Sequence, residues 1–234
     1  MSAAGVMVST APIQGAGPGS SPRVALQDIR VKPIPFSVAR EIVKREHYLH
    51  SMPGGTCLAF GSFIGQRLLG VATFGSGPML AHSLVDGASP KECMTLTRLW
   101  LSDEIPTNGE SRFLGVVIRA IKKNTSVKFL VSYADPAQGH LGIIYQATNW
   151  LYTGLSSAMP LYDLGDGKPR HSRSLSHAFG THSVRHFKKH GADIVLISQA
   201  AKYRYIYLLD KESRGRLKVA VLPYPKQEAS YADN

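Results

Sequence analysis

The stretch from Val127 to Gly154, VKFLVSYADPAQGHLGIIYQATNWLYTG, constrains the fold more than any other part of the chain. Val127, Phe129, Val131 and Tyr133 set β-branched and aromatic side chains at alternate positions, the pattern of a strand buried on at least one face. Pro136 cannot donate to a strand ladder and disfavours helix at the residue before it, so the strand stops at Asp135. Beyond Gly139, apolar positions recur at helical spacing, with Ile143, Ala147, Trp150 and Gly154 on one face and Ile144, Thr148 and Leu151 beside it. A helix is expected there, with Tyr145 about two turns in. Asp135 then stands at the carboxyl end of a strand, where open α/β sheets form ligand crevices. Asp135, His140 and Tyr145 are thereby expected at one strand-to-helix junction.

The rest of the chain supplies the partners such a strand needs. Arg30 to Pro35 reads as a short entry strand, and Ser37 as the N-cap of a helix with Val38, Ile42 and Val43 on its apolar stripe. Thr56 to Phe63 and Leu68 to Phe74 read as a hairpin around Gly65-Gln66-Arg67. Gly75 to about Lys91 is a long loop, a lid or an insertion. Met94 to Leu101 is a strand carrying Arg98. Leu114, Val117, Ile118 and Ile121 then mark an amphipathic helix. Asp193 to Ser198 and Arg204 to Leu209 read as two closing strands, with Tyr203, Tyr205 and Tyr207 facing one side as core. Helix, hairpin, strand, helix, strand, helix and strands in that order make a mixed α/β sheet flanked by helices, not a doubly wound one. The organisation expected is a flexible tail over 1–22, a single domain over 23–212 and a C-terminal tail over 213–234.

Composition enters through charge. A formal net charge of +11 in 234 residues favours polyanionic partners through phosphate neutralisation and counterion release. It is concentrated from Lys168 to His190, which holds six Lys or Arg, five histidines and no acid. Arg170, Arg173, Arg185, Lys188 and Lys189, interleaved with Ser172, Ser174 and Ser176, suit phosphate contacts. A solvated loop or a histidine zinc site is the other reading of this segment. No run approaches the roughly 18 apolar residues of a membrane span. The opening residues lack the basic and apolar regions of a signal peptide, so an intracellular protein is expected. The two cysteines, Cys57 and Cys93, lie in strand-like runs and read as buried thiols.

Two segments carry a resemblance. SYADPAQGHLGIIYQATNWLYTG resembles the signature of the Mom family of phage enzymes that modify adenine in DNA. Arg45-Glu46-His47-Tyr48-Leu49-His50-Ser51-Met52-Pro53 resembles that family's early HY-x-H-x-x-P element, and Thr97-Arg98-Leu99-Trp100 lies between the two. The resemblance implies a remodelled acetyltransferase fold of the GNAT type. It also implies addition of a methylcarbamoyl group to the adenine N6 amine of double-stranded DNA, which protects phage DNA from restriction in the cytoplasm of the infected host. Tyr48, Asp135 and Tyr145 are the catalytic candidates it points to.

His47, Tyr48 and Asp135 are the metal candidates, since histidine with carboxylate and open positions suits Fe(II). His47 and His50 could share a helix face, or cap a helix end. Arg98, Ser111 and Arg112 are the cofactor-binding candidates, because in GNAT enzymes a Gly-rich loop entering a helix offers backbone N–H groups to the acetyl-coenzyme A pyrophosphate. Asn108-Gly109-Glu110-Ser111-Arg112 holds that place without the usual paired glycines. The rival functions are an acetyl-coenzyme A-dependent N-acetyltransferase and a non-catalytic DNA-binding protein, and a homodimer is left open.

Overall fold

The structure is a computed structural model and describes residues 25–226. The proposed N-terminal tail lies outside those residues, as does the end of the C-terminal one. β1 (Ile29–Pro33) leads into α1 (Phe36–Glu46), followed by the hairpin of β2 (Thr56–Ile64) and β3 (Arg67–Gly75). Next come β4 (Cys93–Leu101), α2 (Gly109–Asn124), β5 (Phe129–Ala134), α3 (Ile143–Ala147) and β6 (Leu151–Leu155). β7 (Leu161–Asp163), β8 (Arg170–His171), α4 (Ser172–Phe179), α5 (Val184–Lys189), β9 (Val195–Ile197) and β10 (Tyr203–Leu208) complete the order. Among the described residues no helix is long and apolar enough to cross a membrane.

The first compact unit comprises residues 25–132, 143–153 and 205–224. Its seven-stranded sheet has the order β1-β2-β3-β4-β5-β10-β6. β1 to β4 pair antiparallel and β4 pairs parallel with β5, so the sheet is mixed. Consecutive residues of β2 from Ala59 to Phe63 and of β3 from Leu69 to Gly75 are buried, which requires cover on both sheet faces. α1 supplies Ala39, Ile42 and Val43 to a cluster with Ile34, Ala59, Phe63 and Val71. α2 buries Phe113, Leu114, Val117, Ile118 and Ile121, the spacing read from the sequence. Residues 212–224 return to this unit, where Tyr224 Oη donates to the Trp150 carbonyl at 2.8 Å.

The second unit comprises residues 133–142, 154–204 and 225–226. A three-stranded sheet, β8-β7-β9, lies over its own apolar centre of Leu175, Phe187 and Ile194.

Four expectations are corrected. The helix expected through Gly154 ends at Ala147, because Asn149 takes a left-handed conformation (φ 61°) and the β-branched and aromatic run that follows pairs as β6. Tyr145 is therefore in the first turn of a short helix. β9 does not close the central sheet but pairs with β7. α1 begins at Phe36 with Pro35 before it, so Ser37 is no cap. Cys57 is exposed while Cys93 is buried, and burial pushes the Cys93 thiol up to about 12. At pH 8 a disulfide reagent should label one thiol of the native protein and two after denaturation. Two equivalents in the native state would contradict this packing.

Candidate functional site

β4 and β5 pair only from Cys93–Thr95 to Phe129–Val131, after which no pairing joins them. β4 continues to Leu101 and β5 to Ala134, so the parallel pair opens towards its carboxyl ends. Ser132 stands where the opening begins. Its Oγ lies 3.4 Å from the Leu96 carbonyl of β4 and donates to Tyr145 Oη at 2.8 Å. A serine within the otherwise apolar run LVSYA is the one local sign of this role. The Tyr145 ring sits beside Trp150 at 5.2 Å and Tyr205 at 5.1 Å between centroids. Burial drives its phenol up to about 12, so Tyr145 is un-ionised at physiological pH.

Arg98 approaches from β4. Its Nε donates to the Ser51 carbonyl at 2.9 Å, and its other nitrogens reach the Thr97 carbonyl at 2.7 Å and Ser51 Oγ at 3.4 Å. A guanidinium carries five N–H donors, so these bonds do not exhaust it. Among the described residues no carboxylate forms an ion pair with it. Burial lowers its pKa, opposed by the neighbouring Tyr48 phenol. Tyr48 also acts on Tyr145, so Tyr48, Arg98 and Tyr145 share one electrostatic neighbourhood. The Tyr48 ring is 43% exposed and stacks on His47 at 4.5 Å.

The histidine pair is not helical. α1 ends at Glu46; His47 is extended, and His50 has φ 43°. His47 Nδ1 accepts from the Leu49 N–H at 3.1 Å, and His50 Nδ1 lies 3.0 Å from the Lys44 carbonyl. Both therefore serve the chain turn after the helix.

Asp135 follows β5 as expected, but in the second unit. It accepts from the Ala137 N–H at 3.1 Å, and Lys202 Nζ pairs with it at 2.9 Å. Nothing near Asp135 in sequence announces Lys202. A carboxylate already matched by an ammonium ion is a poor ligand for a dication. Among the described residues no group of three His, Cys, Asp or Glu could hold a metal ion. The described residues thus give no support to Fe(II) at His47, Tyr48 and Asp135.

The start of α2 is also a poor phosphate cradle. A Cβ on the buried Gly109 would fall 2.0 Å from Ile105 Cγ2, so this glycine admits Ile105 and not a ligand. Glu110 adds a carboxylate to the first turn, which would oppose a pyrophosphate. Ser111 Oγ donates to the Asn108 carbonyl at 2.9 Å, and the exposed Arg112 lies in that same turn. Gly109 and Glu110 thus do not favour a pyrophosphate at this turn.

In the second unit, Arg170 is held by Asp166, which raises the guanidinium pKa and holds the carboxyl well below its usual range. Arg185, Lys188 and Lys189 are exposed on α5 around the buried Phe187, without a carboxylate partner among the described residues. The Arg173 side chain lies outside the described part of the structure.

A family profile described as the Mom protein family matches residues 28–226. Methylcarbamoylase mom of Escherichia phage Mu is 30% identical over 206 residues, covering 86% of this chain and 85% of that one. Among solved structures, an N-acetyltransferase from Staphylococcus aureus Mu50 is similar with TM-score 0.43 and 10% identity, over 77% of this chain and 97% of that one. Arabidopsis thaliana NAA60 in complex with acetyl-CoA is similar with TM-score 0.45 and 10% identity, over 77% and 98% respectively.

Proposed function

The chain belongs to the Mom protein family, and from that premise we propose that it transfers a methylcarbamoyl group, CH2–CO–NH2, to the N6 amine of adenine in double-stranded DNA. The observation that carries the proposal is that an un-ionised buried phenol, Tyr145, and a guanidinium without a carboxylate partner among the described residues, Arg98, both neighbour Tyr48 electrostatically, near where β4 and β5 open. The N6 amine lies inside a stacked duplex, so the base is turned out to react. Arg98 donates to the carbonyl oxygen of the incoming group, and Tyr48 orients the amine. The N6–CH2 bond forms while the donor's leaving group departs with its bonding pair. Tyr145 supplies the proton that this leaving group takes up, and the proton that N6 gives up restores the Tyr145 phenol. Asp135 keeps a catalytic role in the proposal through its place at the end of β5. Arg185, Lys188 and Lys189 supply the phosphate contacts, a sequence-independent source of affinity. The modified adenine then shields phage DNA from restriction in the infected bacterium.

The test is mass spectrometry of nucleosides from bacteria expressing the protein, beside an Asp135→Ala culture. A deoxyadenosine heavier by C2H3NO, present only with the unaltered protein and accompanied by resistance to adenine-contacting restriction enzymes, is expected. A gain of C2H2O would mark an acetyltransferase instead. Unmodified adenine despite DNA binding would leave a binding protein.

A further inference from the structure

The loop from β3 to β4 carries, soon after β3, two adjacent large apolar side chains that face solvent, Met79 at 79% and Leu80 at 65% exposure. Flexible loops hide such residues when they can, so their backbone is the first thing to explain. Ser76 N donates to the Gly55 carbonyl at 3.3 Å. Gly77, at φ 59°, lies so close to β4 that a Cβ would fall 2.0 Å from Thr95 Oγ1. After the tip, Ser83 donates to the Leu80 carbonyl through both its N–H (3.0 Å) and its Oγ (2.8 Å). Ala81 and Val85 are buried. The pair is thus presented on a backbone clamped on either side.

Further along the same loop, Leu84 to Asp86 meet a basic strap. Asp86 N donates to the Arg216 carbonyl at 2.7 Å, and Lys218 N to the Leu84 carbonyl at 2.9 Å. This brings the strap from Lys211 to Lys218 against the loop, with Lys211, Arg214 and Lys218 exposed on it. Glu212 is the strap's own acid, and the loop's Asp86 lies 3.8 Å from Lys218 Nζ. The loop root also adjoins the candidate site. Gly55, which receives Ser76, belongs to the same run as Ser51, which holds Arg98.

We infer that Met79 and Leu80 are a wedge that enters the DNA duplex and fills the stack where the target adenine has turned out, with Lys211, Arg214 and Lys218 on the adjoining phosphates. The inference rests on the proposed DNA modification. Apolar side chains inserted at a base step offset lost stacking, and cations beside them hold the bent backbone. Removing the wedge raises the cost of turning out a paired base and leaves an unpaired one almost untouched.

The experiment compares the full chain with Met79→Ser/Leu80→Ser and with Met79→Leu. Each is added to extract of the same bacterium without the expressed protein, which supplies the group donor. The substrates are plasmid DNA and the same DNA heat-denatured, and modified deoxyadenosine is counted. The double variant should lose at least about tenfold on duplex and stay within about twofold on single strands, while Met79→Leu retains both. Equal loss on both substrates, no loss on either, or a change of oligomeric mass on sizing would overturn the wedge and leave DNA modification standing. No modification of either substrate by the unaltered protein would overturn both.

Discussion

Tyr145→Phe should lower the yield of modified deoxyadenosine by roughly 10²–10⁴-fold, the usual contribution of a positioned acid, while the fold persists. The substitution removes one oxygen and keeps the ring between Trp150 and Tyr205. Ser132 loses its 2.8 Å partner but keeps the Leu96 carbonyl within 3.4 Å, so the stability loss should be about 1 kcal/mol. The pH behaviour follows from the sign of the shift. Burial raises the folded-state pKa to about 12, above the usual phenol value of about 10. The protonated phenol therefore contributes stability that is complete below about pH 10 and is lost as the pH rises through about 12. Tyr145 stays protonated across the physiological range, and any loss of activity between pH 7 and 9 must come from another group. Nucleoside mass spectrometry beside a thermal melt reads both effects. Full product from the phenylalanine variant would reduce Tyr145 to a packing residue.

Trp150→Ala should cost about 3–5 kcal/mol of stability, measured by chemical denaturation, the range for removing a fully buried large aromatic ring. Trp150 is 0% exposed and packs against Tyr145 at 5.2 Å and Tyr207 at 5.7 Å. Its indole nitrogen has no hydrogen-bond partner among the described residues, so the ring acts through volume alone. Its backbone N–H donates to the Tyr145 carbonyl at 2.9 Å, which ties the start of β6 to α3. Loss of the ring should therefore also loosen Tyr145 and depress activity beyond the fraction unfolded. A cost under about 1 kcal/mol would mean that neighbouring rings close the gap.

α2 was legible from its helical period, and β5 and the hairpin of β2 and β3 from apolar runs bounded by turn residues. Gly65 at φ 59° marks the turn that the sequence suggested, and Pro136 stops β5 where proline must. The stretch from Ile143 to Gly154 was not legible. Its apolar spacing suits a helix, but its composition suits a strand, and short apolar runs of this kind carry both signals. Pairing in the central sheet decided for β6 beside β10, whose residues lie some fifty positions further on.

The site divides along the same line. Asp135 and Tyr145 were candidates because a carboxylate and a phenol met at a strand end, and Tyr48 and Arg98 because of the family resemblance. Periodicity could not tell that Ser132 would meet Tyr145, that Ser51 would hold Arg98, or that Lys202 would neutralise Asp135. Nor could it tell that Cys57 faces solvent and Cys93 does not. Strand and helix periods are properties of a few neighbouring residues, so the sequence determined them alone. Ionisation state, pairing partner and exposure depend on groups brought close from distant positions, and only the tertiary structure decided those.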